Sequence, residues 1–292
     1  MEQALQAVRF LHYAAALQLF GVTVFQAATA PPGLRAVLAV PATRLAAASA
    51  WVLLASALLW LMIMAGSMGE GWADAADPGV IGTVLGATGF GRVWAWQLGL
   101  AVLLVVLVSV PRLRLWWLLA GLAAGALGSL GLVGHATIGT GGWREVNQAS
   151  QAVHLMSSGF WIGSLVPLLF CLRQLRRADH AAAADLALRR FSGLGHLAVA
   201  LVLGSGVVSA VLIGGPGVWR LESAWGLLLA AKVALVLTMI GLAIVNRYVF
   251  VPAIAGDGPG LRQLWAGTVA EIVLGAGVLG LVSVLGTMRP SG

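Results

Sequence analysis

Histidine and methionine are the residues of this 292-residue chain best suited to hold a metal, and their positions are not random. His135 and His154 stand at the two ends of a short polar stretch within residues 134–163, GHATIGTGGWREVNQASQAVHLMSSGFWIG, with long apolar runs on either side. His12 lies in the first apolar run. Met64 and Met68 close the second, and their i,i+4 spacing puts both on one helical face. Met62 lies nearby on another face, and Met156 follows His154 by two. Thioether and imidazole together suit copper, because soft sulfur favours Cu(I) and imidazole accepts either oxidation state. There is no carboxylate cluster of the kind Ca²⁺ or Mg²⁺ requires.

The elements that must position these groups are membrane helices. The chain is 60% hydrophobic and 9% charged, against about 25% charged residues in a soluble domain. Such a chain cannot cover a water-facing surface, and it leaves no room for a sizeable soluble domain. Its net charge of +7 comes from single and paired Arg residues between apolar runs, a membrane-flanking pattern that gives no reason to expect nucleic acid. A single cysteine, Cys171, excludes a disulfide framework and a Cys-rich zinc module. Eight stretches reach the roughly 20 apolar residues a spanning helix needs: 5–29, 45–66, 93–110, 115–138, 149–172, 191–213, 224–248 and 264–287. Nothing alternates as a membrane barrel would. The expected fold is an all-α polytopic membrane protein with eight transmembrane helices, a single domain over residues 1–292. Residues 69–91, Gly-rich and mildly apolar, read as an external loop with an interfacial turn. The first span has a cleavage-like Ala28-Thr29-Ala30, but its apolar run exceeds that of a signal peptide, and it reads as a retained helix.

Arginine counting orients the chain. Eleven Arg fall in the loops on one side (Arg35, Arg44, Arg112, Arg114, Arg173, Arg176, Arg177, Arg189, Arg190, Arg247 and Arg262) and five on the other. The positive-inside rule then puts both termini on the periplasmic face of a bacterial plasma membrane. In this frame His12, His135 and His154 all fall in the outer leaflet, at the end where Met64 and Met68 also lie. His180 is in a cytoplasmic loop. His196 is near the inner end of span six, and with Cys171 and Met239 it could form an inner release site. Each of these residues also has an ordinary reading as a hydrogen-bonded histidine or a packing methionine. The shared depth of the outer group is what favours a site.

Two charges lie deeper, Lys232 in span seven and Glu271 in span eight. A charge at the bilayer centre costs about 2.5–3.5 kcal/mol on insertion scales, so each needs a partner or water. The favoured reading is an ion pair between the two; the alternative is a permeation-path carboxylate at Glu271, tuned by Lys232. Asn246-Arg247 reads as an interfacial anchor. Twelve Trp suit an aromatic belt. A weak internal repeat pairs residues 1–146 with 147–292: His12 precedes Gly21 by nine, as His154 precedes Gly163, and Phe90-Gly91 leads to Gln97 as Trp225-Gly226 leads to Lys232. Parallel halves place a shared site at their interface; the abundance of glycine makes chance the rival explanation. No nucleophile elbow, Walker loop or dinucleotide fingerprint is present, so no enzymatic activity or energy-coupling module is expected.

Gly134-His135-Ala136, and His154-Leu155 running into Gly159-Phe160-Trp161-Ile162-Gly163 and Pro167, resemble the signature of the CopD family of bacterial copper-resistance and copper-uptake membrane proteins. The likeness extends over most of the chain. Arg9-Phe10-Leu11-His12 resembles the family's first helix and Arg190-Phe191-Ser192 its sixth. Lys232 with Asn246-Arg247 and Pro252 resembles its seventh, and Glu271 its eighth. The resemblance implies an eight-helix inner-membrane protein with a periplasmic amino terminus, moving copper ion from periplasm to cytoplasm beside CopC, a small periplasmic copper-binding protein. It points to His12, His135 and His154 as copper-handling positions, and the exposed turn with Trp143, Arg144 and Glu145 would receive the donor. Two other readings stand beside this one. Matched histidines could hold a b-type haem, or the chain could be a non-transporting accessory that docks a periplasmic copper carrier.

Overall fold

A computed structural model describes residues 1–134, 141–214, 221–255 and 260–288. The regular elements of these segments are helices joined by short turns: α1 (Glu2–Val24, continued by a π-helical turn, Phe25–Thr29), α2 (Pro32–Met68), α3 (Pro78–Ala87), α4 (Gly89–Ser109), α5 (Trp116–Ser129), α6 (Gly142–Gly163), α7 (Leu165–Gln174), α8 (Ala178–Gly214), α9 (Ala224–Val245, continued by a π-helical turn, Asn246–Phe250) and α10 (Gly260–Leu285). Among the described residues, seven helical segments are long and apolar enough to cross a membrane, α6 and α7 counting as one. The stretch expected to form span four is a shorter apolar helix, Trp116–Leu132. At 1.5 Å per residue it reaches about 26 Å, just under the ~30 Å hydrocarbon core. By the same measure the 37 residues of α2 and of α8 extend about 55 Å. Each therefore reaches well past one face, and there they carry Arg35 and Arg44, and Arg189 and Arg190.

The Gly-rich segment after α2 contains more than the interfacial turn expected of it, a ten-residue helix, α3. Asp77 caps it by accepting from Gly79 N and Val80 N at 2.8 and 2.9 Å. Thr88 then caps α4 by accepting from Gly91 N at 2.8 Å. These short polar side chains satisfy amides that a helix start leaves without partners.

α1 is the centre of the bundle, packed against α2, α5, α6 and α10. Its crossing with α6 has no side chain in between. A Cβ added at Gly21 would fall inside the Gly163 backbone, and one at Gly163 would fall on the Leu17 carbonyl. Gly159, one turn earlier, packs against Leu17 and Phe20 of α1. Small residues four apart let membrane helices approach this closely, and the contact is pinned by hydrogen bonds. Gln18 Nε2 donates to Gly163 O at 2.7 Å and Ser164 Oγ donates to Gly21 O at 3.2 Å. Around this crossing α2 and α5 close on α1, and α4 packs on α2 and α5. α8 packs on α6, and α9 packs on α10. α8 and α9 approach each other less closely, and two cavities lie between them.

Replacing Gly21 or Gly163 by Ala is expected to destabilise the protein by about 1–3 kcal/mol, the range for overpacking a close-packed core. The measurement is thermal unfolding in detergent. Gly82→Ala is the control, since an added Cβ there meets nothing within 4 Å.

Candidate metal centre

Of the three histidines that the sequence groups at one depth, the two among the described residues do not stand alike. His12 is fully buried, with 0% exposure. Its Nδ1 lies 2.9 Å from Ser56 Oγ of α2, and its Nε2 2.9 Å from Gln97 Nε2 of α4. Ser56 Oγ donates to Leu53 O at 3.1 Å, so it accepts from His12 Nδ1–H. The Nε2 lone pair then receives the Gln97 amide, whose Oε1 accepts from Ser129 Oγ of α5 at 2.8 Å. One chain of hydrogen bonds thus ties four helices, and it is walled by Trp60 and Trp94, whose ring centroids lie 5.5 and 5.4 Å from the imidazole. Trp94 Nε1 donates to Ala57 O at 2.8 Å. With both nitrogens engaged, His12 could take a metal only if Gln97 turned away.

His154 on α6 is half-buried. Its Nδ1 lies 3.1 Å from both Val202 O and Ser205 Oγ of α8. A carbonyl can only accept, so Nδ1 carries a proton, and in the neutral imidazole the lone pair is on Nε2. Among the described residues Nε2 has no hydrogen-bond partner, and the ring lines a cavity of about 590 Å³ at the end of the bundle where Met1, Glu2 and Thr287 lie, the end expected from the Arg count to be the outer one. Met64 lines the same cavity, as do Arg9, Tyr13, Gln151 and Lys232. Met68 does not; it is 51% exposed on the outer surface. Met156 is half-buried on α6 outside the cavity lining. His135 lies outside the described residues, though Gly134, just before it, lines the cavity. No cluster of three His, Cys, Asp or Glu side chains occurs among the described residues, so a metal here would draw on thioether or on His135.

The ion pair expected between Lys232 and Glu271 is not formed. Lys232 lines the outer cavity, whereas Glu271 lines a second one of about 250 Å³ nearer the inner face. Glu271 is 4% exposed and its carboxylate accepts from Asn246 Nδ2 at 2.6 Å and from Trp161 Nε1 at 3.3 Å. Asn246 is accordingly a buried partner of the carboxylate and not the interfacial anchor expected of it. The signal was available, since an amide beside a buried acid in an apolar helix is itself costly without a partner. His196 lines the inner cavity, with Nδ1 2.7 Å from Ser192 O and Nε2 3.1 Å from Tyr248 Oη. Cys171 and Met239 do not join it. Cys171 is buried with Phe25 and Leu165, and its Sγ is 3.5 Å from Ala184 O. Met239 packs with Phe160, Trp161 and Val278. On α6, α9 and α10 alike, Phe160, Met239 and Val278 fall between outer-cavity and inner-cavity residues, so this apolar layer separates the two chambers. The serines and Gln97 that hold the histidines were missed as partners, because a serine in an apolar helix carries no signal of what it faces.

These geometries make different variants diagnostic. His12→Ala leaves the buried Gln97 amide without its acceptor and is expected to cost about 1–3 kcal/mol. His154→Ala, at a cavity wall, is expected to lower stability less. Thermal unfolding of both in one detergent checks the order.

Residues 1–146 match the family described as Copper resistance protein D-like, N-terminal domain, and residues 185–285 match that described as Copper resistance protein D. The chain is 38% identical over 288 residues to Inner membrane protein YebZ of Escherichia coli (strain K12), covering 97% of each chain. It is 33% identical to Copper resistance protein D of Pseudomonas syringae pv. tomato, over 97% of this chain and 96% of that one. A more distant relative, Copper transport protein CutJ of Bacillus subtilis (strain 168), is 29% identical over 50% of this chain and 28% of its own length. No solved structure matches. On the two matched regions and the full-length relatives, the chain belongs to the copper resistance protein D family.

Proposed function

We propose that this protein carries copper across the bacterial inner membrane from periplasm to cytoplasm, with copper ion as its transported substrate and no enzymatic activity. The location and the metal are drawn from the relatives, one named an inner membrane protein, one a copper resistance protein and one a copper transport protein. The observation that carries the site is His154 Nε2, a neutral imidazole lone pair opening into a cavity that Met64 also lines. In this reading His154 and Met64 are first to take the metal, and His135, outside the described residues, is the further ligand that the sequence offers. His12 holds the wall behind Trp60, and Met68 lies outside the capture site. Copper then crosses the Phe160–Met239–Val278 layer into the inner chamber, where Glu271 and His196 face it.

The proposal includes eight spans, with Trp116–Leu132 as the fourth, and both termini periplasmic, a topology that the Arg distribution supports. It also includes two parallel halves. Each half has a histidine on its central helix hydrogen-bonded through Nδ1 to a serine of a 37-residue helix, Ser56 in one and Ser205 in the other. A periplasmic copper-binding protein of the CopC type is the proposed donor, docking at the exposed Trp143–Glu145 turn that opens α6. The haem reading has no observation in its favour, since no two histidines among the described residues line one cavity.

The test is copper accumulation in right-side-out membrane vesicles, with the Arg173–Arg177 turn protected from external trypsin. His154→Ala combined with Met64→Leu is expected to reduce initial uptake by about tenfold or more, the effect of losing roughly 1.4 kcal/mol of metal affinity. Uptake equal to wild type, or an accumulation seen only in inverted vesicles, would contradict the site or the direction respectively.

A further inference from the structure

The outer cavity has the wrong charge for a bare copper ion. Lys232 projects into it from α9 and Arg9 from α1. Among the described residues Lys232 has no hydrogen bond or ion pair. Arg9 has no carboxylate either: its guanidinium lies over the Tyr13 and Trp60 rings, at 5.7 and 5.0 Å from their centroids, and against the Gly286 backbone, with Nε buried and without a partner. The one acid on the lining, Glu2, takes its hydrogen bonds from Gln6 and Thr287 at the rim. Two fixed cations therefore face one chamber against a single carboxylate, which lies at the edge with neutral partners and forms an ion pair with neither cation.

An isolated ammonium in a low-dielectric wall is costly unless an opposite charge or hydrogen bonds meet it. The comparison within this chain sharpens the point. His12 is completed by a neutral amide, Gln97, in a sealed pocket. His154 instead shares its chamber with an ammonium that no carboxylate among the described residues pairs. A cation meeting His154 would be repelled by Lys232 across the same space, unless a negative group arrived with it. The cavity volume of about 590 Å³ lies in the range of small-molecule sites, roughly 300–1,000 Å³.

We infer that the outer cavity binds a small carboxylate anion, paired with Lys232 and Arg9, and that copper enters as a complex with such a carboxylate ligand, its metal on His154 and its carboxylate on Lys232. An amino acid or hydroxy acid has the chemistry required: a carboxylate for the cations and a second donor that keeps hold of the metal. The inference rests on the copper reading for its second half only, because anion binding is a property of the cavity with or without metal.

The experiment is calorimetric titration of the full chain in lipid nanodiscs with sodium citrate and with sodium glycinate in the absence of copper, sodium chloride serving as the control. Saturable binding of one carboxylate and not of chloride is expected. Affinity should fall about tenfold or more in Lys232→Met, as loss of a buried charge partner does, and be kept in Lys232→Arg, which also shows that the fold survives change at this position. No carboxylate binding, or equal binding by Lys232→Met, overturns the inference. A second arm measures vesicle uptake of copper supplied as its glycinate or citrate complex against copper supplied with a neutral ligand. Faster uptake of the carboxylate complexes, lost in Lys232→Met, supports the coupled entry. Uptake indifferent to ligand and to Lys232→Met overturns coupled entry while leaving copper transport standing. Carboxylate binding with no copper uptake in any arm removes the copper reading and leaves the anion site.

Discussion

The contact on which the rest of this structure depends is the crossing of α1 and α6 at Gly21 and Gly163. Two membrane helices meet there backbone to backbone, with no Cβ between them. Lipid supplies little hydrophobic force between helices, so close van der Waals approach and interhelical hydrogen bonds must hold them. Both are present at this point, through Gln18 and Ser164. In each helix the histidine sits nine residues before the crossing glycine. The crossing therefore brings His12 and His154 to comparable depth on opposite sides of one seam.

What differs between the sides is how the neighbouring helices close. On the α1 side, α2 and α4 pack together and bury Ser56, His12 and Gln97 in a continuous network. On the α6 side, α8 holds His154 through Ser205 and Val202, but α9 stands off and leaves a cavity at the imidazole. A satisfied buried network rigidifies a core; a lone pair at a cavity wall is free to bind. One histidine is thus sealed into the frame and the other borders a cavity, although the chain places them in similar local sequence.

Much of this was legible from residue order. Composition required a helical membrane protein and the spacing of apolar runs located the long helices, whereas the matched spacing of His12–Gly21 and His154–Gly163 reads only as a repeat and carries no signal of the contact between the two glycines. What residue order could not supply was which polar side chains face each other. Lys232 and Glu271 were expected to pair because both are costly in lipid, yet the apolar Phe160–Met239–Val278 layer lies between their chambers, and Asn246 and Trp161 satisfy the acid instead. Met64 and Met68 share a helical face at the level of spacing, but α2 ends there and turns Met68 out to the surface. Helical periodicity fixes direction about one axis, not the distance to the next helix. For the same reason the contrast between a sealed His12 and an open His154 could not be read before the packing of α8 against α9 was known.

The central claim is that copper is held by the imidazole that faces the cavity and not by the one sealed in the bundle. X-ray absorption at the copper edge of the metal-loaded protein in nanodiscs tests it most directly. The account predicts an imidazole and a sulfur scatterer in the wild-type spectrum, with the imidazole contribution reduced in His154→Ala and unchanged in His12→Gln. A spectrum unaffected by His154→Ala, or one that loses its imidazole in His12→Gln alone, would contradict it.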